Sequence, residues 1–388
     1  PDVARAGPRV TAPGERNWPD LHRRVVFGEA GGRVIWQPRI LCWHSDKIFA
    51  GEELPERYRG MDYYDIYRSL DCSARLYEFN SCFCRTEHED VQVTTRAVSD
   101  TDTETVIATP VGKQVAVSRR SANSPQPITI KWEVETPEEL KVATWREQNA
   151  TWAWDQAQYD AWQEKVGDLG APTIFMPRMN VQCLYIEKMG VENAVYAMFD
   201  RQDEVEAFFD ALNQSHDRLI DVICDSPIEI INFGENIHAG TLSPPLFERY
   251  HLPECRRRCE RLHRAGKFVH AHWDGDTGPL LRYARETGLD GIEAITPKPQ
   301  GDVTLEEVQA ALGDEMVLLD GIPAVAFDDT YAEEVLIETT ERILELFAPR
   351  LVLGISDEIS STGDIERIRL VGEIVDRYNA SLAENEVS

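Results

Sequence analysis

Two imidazoles and two carboxylates sit at alternate positions in the stretch Lys267-Phe-Val-His-Ala-His-Trp-Asp-Gly-Asp276. His270, His272, Asp274 and Asp276 are residue types that bind a divalent cation or pass a proton. The short apolar run before them is how a buried parallel strand reads when it delivers such groups at its carboxyl end. Alternation places His270, His272 and Asp274 on one face, and Gly275 permits a sharp turn before a helix that starts at Pro279. The same order of residues also suits a hydrogen-bonded strand end with no chemistry.

The surrounding elements must decide. From residue 171 the chain alternates regularly, with strands expected at 171–176, 228–235, 267–272, 290–295, 316–320 and 351–355. Helices are expected at 190–199, 202–224, 244–265, 278–287, 304–312, 331–348 and 363–379. Strand–helix units in such number predict an α/β fold, a (β/α)8 TIM-like barrel, with 171–380 as its most regular part. In a barrel the loops after the strands converge on one mouth. The strand ends there carry Glu235, Asn236 and His238, then His270, His272 and Asp274, then Glu293, then Asp320, then Ser356, Asp357 and Glu358. An acid at each of five successive ends exceeds what a solvated rim needs, and predicts a shared polar or metal site. Metal binding or shared protons would relieve the repulsion. Histidine with carboxylate would suit zinc, and none of the eight cysteines falls at these ends, so the donor set is nitrogen and oxygen.

The first half is less regular. Residues 1–32 read as an arm or short helix laid over the outside of the fold, followed by a strand at 33–39 and a loop at 41–46. Arg39 could clamp an anion there, or be paired with one of the 68 acids. Helical spacing of apolar residues runs over 58–77, and 91–135 reads as a small antiparallel β insertion, a lid or a partner-docking edge. Thr136-Pro-Glu-Glu-Leu140 opens a helix as a capping box, and 155–166 reads as another helix.

The 388 residues, 42% of them hydrophobic, suffice for one large barrel domain. A formal charge of −28 excludes nucleic acid and anionic membrane as expected partners. No apolar run of about 18 residues or export signal is apparent, so a cytoplasmic location is expected. Eight scattered cysteines fit reduced thiols, with Cys82/Cys84 and Cys255/Cys259 the only close pairs. A homodimer is left open.

Several motifs resemble the uroporphyrinogen decarboxylase-like superfamily of barrels, which includes cobamide-dependent methyltransferases. Glu235-Asn236 before Leu242-Ser-Pro-Pro-Leu-Phe247 looks like that family's acidic strand end and helix. His272-Trp-Asp-Gly275 is similar to its His-x-Cys-Gly zinc motif, with Asp274 in place of Cys. Asp320-Gly-Ile322 resembles its Gly-Gly-Ile turn, and Leu353-Gly-Ile-Ser-Asp357 its last strand, with Ser356 where coenzyme M methyltransferases place another Cys. The likeness covers roughly residues 170–380, and Thr109-Pro-Val-Gly112 with the hairpin after it resembles the methyltransferase-like branch.

This resemblance implies a metal-dependent O-demethylase type of methyltransferase. Zinc or another divalent metal held by Glu235, His272 and Asp274 would bind the oxygen of a small methyl donor, and the methyl would pass to a corrinoid protein. His270, Glu293 and Asp357 would serve as proton carriers or supports. Asn236 and His238 would orient the substrate, Arg39 would contact an anion, and Trp43 and Trp273 would either wall an apolar or aryl substrate or serve in packing alone. The alternatives are a metal-independent decarboxylase of the uroporphyrinogen decarboxylase type, with Arg39 on the carboxylate, and a non-catalytic partner subunit.

Overall fold

The β/α alternation closes as a barrel in the computed structural model, which describes residues 16–385. Strand β1 (Ile35–Trp36) comes first. An elaboration comes next, made of β2 (Phe83–Thr86), β3 (Gln92–Ala97), β4 (Asp102–Thr109), β5 (Gly112–Arg119), β6 (Ile128–Lys131) and β7 (Thr151–Trp154). The barrel resumes with β8 (Thr173–Met176), β9 (Ile230–Ile237), β10 (Phe268–Trp273), β11 (Gly291–Glu293), β12 (Val317–Pro323) and β13 (Leu351–Ser356). Seven parallel strands hydrogen-bond in the order β1-β13-β12-β11-β10-β9-β8.

Residues 73–77 fill the gap between β8 and β1. Ser73 N–H donates to Trp36 O at 3.0 Å, Thr173 N–H donates to Leu76 O at 3.4 Å, and Leu76 bridges Pro172 in parallel. Here the structure corrects the helix expected over 58–77. The helix spans only Tyr63–Leu70, capped by Asp62, and Asp71 leaves it at positive φ. The segment beyond Asp71 is extended and serves as the eighth stave. The expected loop at 41–46 is likewise the start of a helix, Leu41–Ala50.

Period-two alternation sorts the interior into layers. The lowest is apolar and joins Ile35, Ala171, Ile230, Phe268, Val317 and Val352 with Trp18, Val25 and Val26 of the helix Trp18–Val26. That helix begins at Asn17, whose side chain accepts from Asp20 N–H at 3.1 Å. The described part of the N-terminal segment thus includes a short helix laid against the barrel's apolar floor layer; residues 1–15 lie outside the described residues. Above the floor the interior turns polar, with Gln37, Ser73, Arg75, Asn232, His270, Glu293 and Asp320 all buried. Burying so many polar groups requires that they satisfy one another.

The insertion is the antiparallel sheet β3-β4-β5-β6, packed on the helix Pro137–Asn149. The capping box at Thr136 is present, with Thr136 Oγ1 accepting from Glu139 N–H at 3.2 Å and Glu139 Oε2 accepting from Thr136 N–H at 3.1 Å. Strands β2 and β7 pair separately. Among the described residues no helix is long and apolar enough to cross a membrane.

Candidate active site

Glu293, at the end of β11, is the hub of the polar interior. Its Oε2 accepts from Asn232 Nδ2 at 2.8 Å and Tyr77 OH at 3.1 Å, and its Oε1 accepts from His272 Nδ1 at 2.9 Å. The guanidiniums of Arg75 and Arg39 lie 3.2 and 3.4 Å from Oε1. Arg75, buried on the stave at 73–77, also grips both oxygens of Asp320 at 2.8 and 3.2 Å and donates to Gln37 Oε1 at 3.0 Å. Burial alone would raise the Glu293 carboxyl, but Arg75 and the two imidazoles hold it well below the usual carboxylate range. Asp320 keeps less of that help, and burial moves it up to about 6 despite Arg75.

The two histidines of β10 behave differently. His270 is buried and pushed toward the neutral form; its Nδ1 lies 3.2 Å from Glu293 Oε2 but out of line for a hydrogen bond. For His272, burial disfavours the charge, yet Asp274, 3.6 Å from Nε2, and Glu293 at Nδ1 outweigh it and raise the imidazole to about 9. His272 is thus an imidazolium at neutral pH, one nitrogen held by Glu293 and the other turned toward Asp274 at the mouth.

That shift gives a stability profile. A group raised in the fold stabilises fully below its unfolded value and loses the contribution as pH climbs through the folded one. For His272 the loss runs from about 6.5 to about 9 and amounts to on the order of 3 kcal/mol. Urea midpoints are expected to fall between pH 7 and 9.5, and His272→Gln should flatten the fall. Comparison with the variant matters because buried Glu235, raised to about 8, contributes a decline of its own. A wild-type slope no steeper than that of the variant refutes the assignment.

The rim adds a second chain. Asn236 Nδ2 donates to Asp274 Oδ2 at 3.1 Å, Asn236 Oδ1 accepts from Arg178, and Arg178 reaches Glu187 at 3.3 Å. Across the mouth Arg39 lies between Glu358 at 3.2 Å and Asp357 at 3.4 Å, the latter 60% exposed. The expectation that Arg39 is paired to acids therefore describes it, with three carboxylates in reach. His238 sits in the loop after β9, its Nε2 3.1 Å from Thr241 Oγ1. Among the described residues, four of the six non-glycine residues at positive φ lie in or next to these strand ends, at Asn236, Ala294, Asp320 and Asp357. Backbone strain of this kind gathers where function holds it in place.

Three expected site residues point elsewhere. Asn232 and Gly234 face inward on β9, so alternation turns Glu235 outward, where both its oxygens accept from Met179 N–H at 3.1 and 3.2 Å. Trp273 alternates with His272 and packs edge-on against Phe247 at 5.6 Å; Trp43 is buried against Tyr58. Neither tryptophan walls the mouth.

These placements decide whether the expected metal fits. His272 Nδ1 is donated to Glu293, Nε2 is 3.6 Å from Asp274, and Glu235 is fixed on the outer face. Among the described residues no three His, Cys, Asp or Glu are gathered in a ligating arrangement. The trio Glu235, His272 and Asp274 does not form a zinc site in this geometry, because Glu235 is turned to the outer face and held by Met179 N–H while His272 Nδ1 is taken by Glu293; Asp274 alone keeps a buried oxygen, Oδ1, without a partner. Arg75, Tyr77, Phe175, Arg178 and Asn232 complete the polar interior and its mouth and escape the sequence reading.

A comparison with characterised proteins by sequence finds no match. Among solved structures, the chain is similar to a methyltransferase from Methanosarcina mazei, at 12% identity over 92% of this chain and 97% of that one, with a TM-score of 0.56. A B12-independent methionine synthase from Shewanella sp. W3-18-1 aligns at 11% identity over 91% and 98% of the two chains, with a TM-score of 0.39. The first likeness shows a shared fold. The model of the uroporphyrinogen decarboxylase (URO-D) family matches residues 181–378, which include β9 to β13 and most of the mouth. On that match the chain belongs to the uroporphyrinogen decarboxylase (URO-D) family.

Proposed function

We propose that the protein is a methyltransferase that moves a methyl group from a small O-methyl substrate to a corrinoid carried by a partner protein. The observation that carries the reading is His272, clamped between Glu293 and Asp274 at the mouth of the barrel. The fold shared with a methyltransferase supports it. The corrinoid would supply the nucleophile for the methyl carbon. The protein's own part is to deliver a proton. As the C–O bond breaks its electron pair goes to oxygen, and His272 Nε2–H protonates that oxygen, so the product leaves as an alcohol or phenol rather than an anion. Glu293 stabilises the imidazolium beforehand, and Asn236 with Arg178 borders the substrate. No step passes through a zinc ion, whose donors do not fit. The reaction is assigned to the cytoplasm, where the eight unpaired cysteines would stay reduced.

Decarboxylation competes with this reading and needs a cation to hold a substrate carboxylate. Arg39 and Arg75 are already engaged with carboxylates. A purely partner role would leave the buried charges without a use, at a cost in stability. The test uses free cob(I)alamin as acceptor with a panel of alkyl and aryl methyl ethers, following methylcobalamin by absorbance. Wild type is expected to turn over, and His272→Gln to lose about 100-fold or more. No methylcobalamin from any ether, or full activity in His272→Gln, refutes the proposal; release of CO2 from carboxylated substrates instead would support the decarboxylase.

A further inference from the structure

The methyl-transfer reading, on which this inference rests, leaves the methyl donor's class unspecified. The inner face of β8 narrows it. Phe175 pairs in register with Asn232, whose amide reaches Tyr77 OH at 2.5 Å and Glu293 at 2.8 Å, so Phe175 points into the barrel. It is nevertheless 43% exposed, an apolar ring open to water at a rim made of charges. Its position is fixed. Tyr77 stands edge-on to it, with centroids 5.3 Å apart and planes at 77°. Asn80 takes both backbone hydrogen bonds of Phe175, donating to its carbonyl at 2.6 Å and accepting from its N–H at 3.0 Å.

The neighbouring inward position on β9 is Gly234, where a Cβ would lie 3.3 Å from that of Phe175. Glycine there adds no side chain of its own between Phe175 on β8 and His272 on β10. Two strand spacings, about 10 Å, separate these backbones. A ring lying on Phe175 can extend an ether oxygen over Gly234 toward His272, whereas a short alkyl ether at His272 cannot also cover Phe175. A rigid ring edge-packed by a second one gains further from an aromatic partner, through stacked or edge-on contact. We propose that Phe175 is the platform for an aromatic substrate ring, and that the methyl donor is an aryl methyl ether.

Calorimetric titration of the whole protein with 2-methoxyphenol, phenol and 2-methoxyethanol tests this. Wild type is expected to bind the two aromatic probes at least tenfold more tightly than 2-methoxyethanol. Phe175→Ala should cost the aromatic probes about tenfold, Phe175→Leu nearly as much because it keeps bulk without a ring, and Phe175→Trp should retain them. Equal affinity for aromatic and alkyl probes in wild type, or unchanged aromatic affinity in Phe175→Ala, overturns the platform. Phenol has no methyl group to give, so it reads the platform alone. Phenol binding lost in Phe175→Ala without any methyl transfer would support the platform and defeat the reaction. Transfer from both ethers with equal kcat/KM would defeat the platform and leave the reaction standing.

Discussion

Glutamine at position 293 is expected to lower the proposed methyl transfer by about two to three orders of magnitude while leaving the fold intact. The substitution keeps the shape and removes the charge toward which Asn232, Tyr77, His272, Arg75 and Arg39 all converge. A carboxylate is acceptor-only and takes all of these; an amide presents one end as a donor and must turn it against some of them. The consequence falls mainly on His272. Its elevated affinity for a proton comes from Asp274 and Glu293 working against burial. With one of those charges gone, burial regains ground and a larger share of the imidazole is neutral in the working pH range. A neutral imidazole at the mouth has no spare proton for a leaving oxygen, and losing a general acid costs about 10²–10⁴-fold. Initial rates together with the NMR titration of the His272 ring check both halves. Full turnover in Glu293→Gln with His272 still protonated at pH 8 would show that the hub does not govern the acid.

The part of this site on β9 to β13 was legible because those strands are buried on both faces and read as apolar runs with polar ends. Alternation from His270 to His272 located the imidazoles correctly, and five acidic strand ends marked the mouth. The same alternation, applied to Glu235 and Trp273, would have turned both away from it, Glu235 because Asn232 faces inward and Trp273 because His272 does. Proximity to a strand end stood in for direction in those two cases. The stave at 73–77 was illegible for another reason. It comes after a helix whose apolar spacing runs on as far as Tyr77, and it has no β-branched residue to mark a strand. Its hydrogen bonds go to Trp36 and from Thr173, far off in the chain, so only the closed barrel makes it extended. With it were lost Arg75 and Tyr77, both outside the span of the family match, 181–378.

Arg75→Met carries the largest expected effect on stability, a loss of about 3–5 kcal/mol at pH 7.5, because it strands a buried acid inside the barrel. Among the described residues Arg75 alone has a cation paired with both Glu293 and Asp320, and methionine fills its stem without replacing that charge. Arg39 remains 3.4 Å from Glu293, so the uncompensated group is Asp320. That carboxyl already sits near 6 with the guanidinium bound to it, and losing the guanidinium pushes it higher. An acid raised in the fold costs stability increasingly as pH rises from its unfolded value toward its folded one. The variant's deficit should therefore be larger at pH 8 than at pH 5, where Asp320 keeps its proton. Adding Asp320→Asn removes the stranded charge and should recover part of the loss at pH 8, with little further change at pH 5. Urea midpoints at the two pH values, with unchanged slopes, measure all of this. Arg75→Met within about 1 kcal/mol of wild type at pH 8, or no recovery in the double variant, would mean that the polar interior is held by something other than this cation.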